Sequence, residues 1–392
     1  MNTQLSKVVI DRNCERKLIT GYQWIFSSEI SKKDESVITG DIVEVLSNSH
    51  QSLGWGVYNA HSQIAVRMLS KEPIASIEKL FEERIKEADK LRKQVLDRDT
   101  YRVVYGESDF LPGLIVDRYD DIIVVESLAA WVDLRMDILI PILVEYFHPT
   151  SIIERSESVW REREGLVNVK RLLYGEKTTT AIELHQMKYI IEGLDSQKTG
   201  FFLDQSENHF AIRNYARGKK ILDCFCNAGG FALNAAKAGA LSVVGIDSSA
   251  NAIANAERNA DLNGLAEICS WIKGDVMDVL ASENFQSEKF DCVILDPPAF
   301  VKSKSKLHSG IRGYMKLNQL GMRHVHRGGI LVSCTCSHHV NEELFLQMLL
   351  QASVKSDRYL RILEVRSASI DHPVLAAMPE TKYLTVAICR ID

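Results

Sequence analysis

Ile221-Leu-Asp-Cys-Phe-Cys-Asn-Ala-Gly-Gly-Phe231 decides how the rest of the chain is read. Its apolar start has the composition of a buried parallel strand, and it breaks into a small Gly-rich turn. A helix-compatible run, Ala232-Leu-Asn-Ala-Ala-Lys-Ala238, follows at once. Gly229 and Gly230 carry no Cβ, so such a turn lets a ligand come close to backbone. The turn also lies beyond the carboxyl end of a strand, where open α/β sheets bind ligands. By itself Asn-Ala-Gly-Gly describes a ligand-free strand-turn-helix equally well, so the neighbouring segments have to decide.

They do so by repetition. Ser242-Val-Val-Gly-Ile-Asp247 is a second apolar strand, ending in an acid placed to accept hydrogen bonds from ribose hydroxyls. A helix is expected from Ala250 to Asn263, then a third strand, Ser270-Trp-Ile-Lys-Gly-Asp275, with an acid just past its end. Phe290-Asp-Cys-Val-Ile-Leu-Asp296-Pro-Pro-Ala-Phe300 is a fourth strand, closed by a carboxylate and two prolines. The Gly-x-Gly-x-x-Gly pattern that seats a dinucleotide pyrophosphate on a helix start is absent. S-adenosylmethionine has no pyrophosphate, and needs ribose and adenine contacts without a phosphate cradle. The expected cofactor is therefore S-adenosylmethionine, with Asp223, Asn227, Ala228, Gly229, Gly230, Phe231, Asp247, Asp275, Asp296 and Pro297 as its candidate binding residues.

Residues 195–392 resemble a class I S-adenosylmethionine-dependent RNA methyltransferase. The whole chain resembles the bacterial 23S rRNA 5-methylcytosine methyltransferases, built from an N-terminal PUA domain, a middle domain and a catalytic domain. The resemblance is carried by Gln197-Lys-Thr-Gly-Phe-Phe-Leu-Asp-Gln205, Asn227-Ala-Gly-Gly-Phe231, Asp296-Pro-Pro-Ala-Phe300, Arg312-Gly-Tyr314 and Gly328-Gly-Ile-Leu-Val-Ser-Cys-Thr-Cys-Ser337. Ile153-Glu-Arg-Ser156, Arg163-Glu-Gly-Leu166 and Asp371-His-Pro373 add to it. It implies a Rossmann-like catalytic domain with a mixed seven-stranded sheet. It also implies that the loop holding Lys198 and Asp204 borders the cofactor and the active site. Ser206 and His209 depart from the family, whose members usually carry arginine at the first position and often at the last. As a structural alternative, Asp204 is a plain helix N-cap.

Bulk properties bound this reading. A chain of 392 residues, 46% apolar, has material for two or three domains with ordinary cores. No apolar run is long enough to span a bilayer, and the first residues lack the apolar stretch of a signal peptide. Eight cysteines without Cys-x-x-Cys spacing point to reduced thiols in a cytoplasmic protein, with no metal site expected. Cys224/Cys226 and Cys334/Cys336 are expected side by side on strand faces. Net charge is −5 and disfavours a generic nucleic-acid binder. The excess acid lies in residues 76–190, with 17 basic and 22 acidic side chains, whereas 1–75 and 191–392 are each balanced. RNA contact therefore has to come from local clusters.

Residues 1–75 read as short β segments with turns, a small β-barrel that resembles a PUA domain; a capping barrel without RNA contact is the alternative. Residues 76–190 form an expected α+β middle domain. It opens on an amphipathic linker helix capped by Ser76 whose charges face solvent, and continues as strand-strand-strand-helix-strand. Gly113, Asp117 and Arg118 are explained as well by a turn and an ion pair as by substrate contact. Residues 191–392 form the expected methyltransferase domain.

The chemistry depends on the fourth and fifth strand ends. Asn/Asp-Pro-Pro-aromatic turns also serve enzymes that methylate exocyclic amines, so Asp296-Pro-Pro-Ala-Phe300 leaves the reaction open. Ser333-Cys-Thr-Cys-Ser337 separates the readings. C5 of cytosine is too weak a nucleophile for direct attack on a methyl sulfonium, and a thiolate adding to C6 makes it enamine-like. The resemblance places the catalytic thiol on Cys336 rather than Cys334; strand alternation alone does not choose. Asp296 is expected at the N3/N4 edge, and the base for the C5 proton is Asp296, Cys334 or a water. Lys198, Phe300, Lys302 and Arg312 are the candidate substrate contacts. Lys302, Lys304, Lys306, His308 and Arg312 form a cationic rim in a loop after Phe300. The expected partner is 23S rRNA, naked or in a large-subunit precursor, and a homodimer is left open. The alternatives are an RNA methyltransferase acting on a guanine or adenine amine, and an RNA-binding assembly factor without turnover.

Overall fold

A computed structural model describes residues 6–194, 200–301 and 303–392. They divide into two compact units. One comprises residues 1–182, 191–201 and 371–381, and the other 183–190, 202–370 and 382–392.

In the first unit, residues 6–70 build a six-stranded sheet in the order 24–26, 64–70, 52–58, 42–46, 6–10, 30–33. A helix spans Arg12–Ile19, its start capped by the Asp11 carboxylate, which accepts from the Asn13 and Cys14 amides. A second, five-stranded sheet runs 169–175, 151–156, 122–127, 114–119, 100–105. Its one parallel pair, 122–127 with 151–156, is joined through the helix Met136–Phe147. The helix Ile77–Val95 starts at Ser76, whose hydroxyl accepts from the Lys79 amide, as expected. Its charges do not all face solvent. Asp89 is fully buried, accepting from the Tyr101 and Tyr146 hydroxyls, and Arg92 is buried against Asp109. Asp117 likewise pairs with Arg102, at 2.7 and 2.8 Å, so it is structural.

The second unit is a seven-stranded sheet. Its strands are β1 (Lys220–Cys224), β2 (Ser242–Asp247), β3 (Cys269–Lys273), β4 (Phe290–Leu295), β5 (Val325–Thr335), β6 (Leu360–Arg366) and β7 (Thr385–Ile391). The order is 3-2-1-4-5-7-6, with β7 antiparallel to both its neighbours. The mixed seven-stranded sheet expected from the sequence is present. β1, β4 and β5 read as apolar runs because both faces are covered; Leu222, Val293, Leu295 and Leu331 lie in one core with Phe345 and Leu349. Besides a single turn over Arg213–Ala216, the helices are α1 (Ser206–Ala211), α2 (Gly230–Lys237), α3 (Ala250–Leu262), α4 (Val276–Ala281), α5 (Leu307–His324) and α6 (Glu342–Lys355).

Two local expectations change. The segment after Phe300 is not a loop: a short 3-10 turn over Lys304–Lys306 runs directly into the 18-residue α5. Nor do the close cysteine pairs share strands. β1 ends at Cys224, Phe225 takes φ 65°, and β5 ends at Thr335, so Cys226 and Cys336 both lie past a strand end.

Candidate active site

Parallel register brings the carboxyl ends of β1, β2, β4 and β5 together. Cys224 pairs with Ile246 on one side and Leu295 on the other, and Leu295 with Ser333. Asp296 starts one residue past β4, its amide 3.4 Å from the Cys224 carbonyl. The 225–229 turn alternates handedness, with Phe225, Asn227 and Gly229 at positive φ (65°, 45° and 85°). Asp247 holds this shape: its carboxylate accepts from the Asn227 amide at 3.0 Å and from the Ser249 amide at 2.9 Å.

The glycines serve packing as well as approach. A Cβ on Gly230 would lie 2.3 Å from the buried His209 ring, and one on Gly229 would lie 3.1 Å from Trp271. His209 in turn stands edge-on to Phe231, with centroids 4.6 Å apart. Burial outweighs the nearby Asp204 and lowers the His209 pKa to about 3, so the imidazole is neutral. This position, often arginine in the resembling family, is therefore an uncharged wall of the turn.

Asp223 is the strongest mark of a ligand here. It is buried; one oxygen accepts from the Ala232 amide at 2.9 Å, and the other has no hydrogen-bond partner among the described residues. Burial first, then Asp296 and Asp247, pushes its carboxyl well above the usual range. A buried acceptor without a donor is costly, and a cationic amine brought to this turn would satisfy it. The carboxylate oxygens of Asp247 each keep a second lone pair for a hydroxyl. The residues present thus fit S-adenosylmethionine: an acceptor for its ammonium, an acid for its ribose, and an open backbone turn between them. Asp275 is exposed and caps α4 through the Met277 and Asp278 amides.

On the other side of Asp296 the two cysteines separate. Cys334 is fully buried, and burial and Asp296 push its thiol far above the usual range. Cys336 is partly exposed, its Sγ 3.9 Å from the Pro297 carbonyl. Phe300 lies tilted on Tyr314 at 4.7 Å, and the Tyr314 hydroxyl meets Ser337 Oγ at 2.9 Å, tying the Pro-Pro turn to the end of β5. Arg312 is exposed on α5, one turn before Lys316. Lys198 and Lys302 lie outside the described residues. Asp204 is not an N-cap; its carboxylate accepts from the Tyr383 hydroxyl. Sequence reasoning passed over Gln205 as a site residue, yet its Nε2 donates to Asp296 Oδ1 at 3.0 Å. It also passed over Trp271, whose only sequence signal is an aromatic ring on the strand beside Gly245.

Comparison with known proteins adds the family. A model described as a PUA-like domain matches residues 8–71, and one described as a methyltransferase domain matches residues 216–369. The ribosomal RNA large subunit methyltransferase I of Aeromonas hydrophila is 34% identical over 394 residues, covering 98% of this chain and 99% of its own length. This chain belongs to the ribosomal RNA large subunit methyltransferase I family. The Escherichia coli O157:H7 member is 32% identical over 392 residues, with 98% and 99% covered. Among solved structures, a methyltransferase complexed with SAH superposes with a TM-score of 0.85 at 20% identity, covering 98% of this chain and 99% of that one. An S-adenosylmethionine-dependent methyltransferase from Streptococcus mutans gives 0.84 at 21%, with the same coverage. The fold is that of a class I methyltransferase with an N-terminal PUA-like domain, and the cofactor is S-adenosylmethionine. No helix among the described residues is long and apolar enough to cross a membrane.

Proposed function

We propose that this family member methylates C5 of a cytosine in 23S rRNA, through a covalent bond between Cys336 and C6. The observation that carries the reading is the division of labour between two thiols beside one carboxylate. Cys334 is sealed from solvent and held protonated, while Cys336 stands at the edge of the site past the end of β5. An amine methyltransferase has no use for an accessible thiol at this point. Bound S-adenosylmethionine supplies an electrophilic methyl group. Cys336 as thiolate adds to C6, raising electron density at C5. Asp296 accepts from the N4 amino group and so holds the cytosine edge in place, while the electron pair displaced by C6 addition is consumed at C5 when it attacks the methyl group. Uracil presents a carbonyl oxygen there, which an ionised carboxylate repels. As C5 takes the methyl group the donor's S–CH3 bond breaks and S-adenosylhomocysteine leaves; a base then removes the C5 proton, and the electron pair left behind restores the C5–C6 double bond and expels the Cys336 thiolate. The high thiol pKa of Cys334 makes it unsuited to hold a negative charge as that base, which leaves Asp296 or a water.

Phe300, half-buried against Tyr314, is the proposed stacking partner for a base that has left its helix. Lys304, Lys306 and His308 are exposed at the start of α5. Cations at a helix N-terminus oppose the macrodipole, so their clustering there is explained by a polyanion that both would attract. With Arg312 they form the proposed RNA rim, and the N-terminal 1–75 domain is proposed as a second contact.

Ribosomal RNA from cells lacking the gene, incubated with protein and S-adenosylmethionine and digested to nucleosides, tests the reading. 5-Methylcytidine is expected with wild type and absent with Cys336→Ala. A methylated purine that survives Cys336→Ala overturns the mechanism in favour of amine methylation.

A further inference from the structure

Asp296 does not stand alone at the end of β4. Its Oδ1 accepts from Gln205 Nε2 at 3.0 Å, and Gln205 Oε1 accepts from Asn208 Nδ2 at 2.7 Å. Asn208 Oδ1 in turn accepts from Arg366 Nε at 2.9 Å. Gln205 and Asn208 are buried, whereas the Arg366 side chain is 31% exposed. The guanidinium is braced by Glu364 Oε2 at 2.9 Å and the Glu207 carbonyl, and Glu364 itself accepts from the Tyr215 hydroxyl.

This chain has a direction. A carboxamide can turn over and exchange its donor and acceptor ends, but a guanidinium only donates. Arg366 therefore requires the oxygen of Asn208 to face it, and the Asn208 nitrogen must face Gln205. The Ser367 carbonyl, 3.1 Å from that same nitrogen, enforces the choice. Gln205 then has to offer its oxygen to Asn208, which leaves its Nε2 for Asp296. The donor that Gln205 offers to one carboxylate oxygen is thus fixed in place by Arg366 on the strand β6, far away in sequence.

We propose that Arg366, Asn208 and Gln205 form a directional hydrogen-bond relay whose purpose is to position Asp296, with Gln205 and Asn208 as positioning residues for methyl transfer. With Oδ1 engaged by Gln205, rotation of the carboxylate is restricted, which fixes the face it turns to the target base. The assignment rests on the role given above to Asp296.

The discriminating variant is Asn208→Asp. It keeps shape and the pairing with Arg366 but reverses the signal, since an acid at 208 draws the Gln205 nitrogen to itself and turns an oxygen toward Asp296. Incorporation of labelled methyl groups into undermodified rRNA should show kcat reduced about 10–100-fold, the scale of one hydrogen bond to a charged group. The KM for S-adenosylmethionine and the thermal midpoint should stay near wild type. Gln205→Met should lose a similar factor, and the Gln205→Met, Asn208→Asp double variant no more than Gln205→Met alone. Arg366→Met, at the partly exposed end, should lose less and provides a variant that keeps the buried amides intact. A kcat for Asn208→Asp within twofold of wild type, additive losses in the double variant, or losses that track a falling midpoint would each overturn the relay. Failure of the cytosine reading is seen separately, in the nucleoside that wild type produces, because the variants are scored on whichever nucleoside is methylated.

Discussion

A carboxylate withdrawn from water with one oxygen unmatched, as at Asp223, waits for a donor. Asp223→Asn would keep an acceptor for the Ala232 amide while presenting an N–H2 where a ligand ammonium is needed. Its expected effect is a loss of S-adenosylmethionine affinity of about 10–100-fold by calorimetry, with the fold intact. His209 has the opposite problem. Its neutral ring is buried against Gly230, and its pKa falls to about 3 from 6.5, so the unfolded chain binds the extra proton between those values. Stability contributed by the neutral ring is complete above pH 6.5 and lost as pH falls toward 3. At pH 5 the loss is about 2 kcal/mol. Denaturant titrations of wild type and His209→Phe between pH 8 and 5 should therefore converge in slope only if this ring is not the titrating group. Asp223, Asp247 and Asp296 were legible in the sequence because each acid ends or follows an apolar run. Gln205, Asn208 and Arg366 were not. Neutral amides have no pattern, and their meaning depends on partners 91 residues away for Gln205 and 158 for Asn208.

Among elements, α5 was the least legible. Its first turns contain Ser309, Gly310 and Gly313, a composition that favours a loop. The glycines are there for contact. A Cβ on Gly310 would come within 2.3 Å of Val301 Cγ2 and 3.0 Å of the Phe300 carbonyl, and one on Gly313 within 3.2 Å of the Phe300 ring. Helix propensity was sacrificed so that α5 can press against the Pro-Pro turn and hold Phe300. Gly310→Ala gains about 1 kcal/mol of propensity, yet overpacking at that distance costs about 1–3 kcal/mol. The expected outcome is a protein no more stable than wild type by thermal melting, with slower methyl transfer because Phe300 has moved. Gly218→Ala is a poor control, since φ 68° strains it. An exposed alanine substitution at Ser309 is a better one.

For the whole molecule, domain organisation was read along the chain, and contacts regroup it. Residues 371–381 return to the first unit, where the Asp371 carboxylate accepts from the Arg102 amide and its carbonyl from Arg92. That return accounts for the Asp371-His-Pro motif without any catalytic task. Within the same unit Glu164 gathers the N-terminal sheet. Arg67 donates to both its oxygens at 2.8 and 3.0 Å, Asn59 adds 2.9 Å, and the Ser62 hydroxyl also donates. Arg67 and Glu164 side chains are only 8% and 4% exposed. Glu164→Ala would strand a buried guanidinium, and a loss of about 3–5 kcal/mol is expected by denaturant unfolding. Glu164→Ala with Arg67→Met should recover most of it.

β7 lies between β5 and β6, and it pairs Cys334 with Val386 and Thr335 with Thr385. The strand that leads into the proposed nucleophile is therefore clamped on one edge by residues made about fifty positions later. In chain order every residue of β1, β2 and β4 precedes β7, so this edge of β5 can close only once the last strand has been made. A chain cut short before β7 lacks the partner that Cys334 and Thr335 pair with, so the thiol's support is completed by the last residues to be translated.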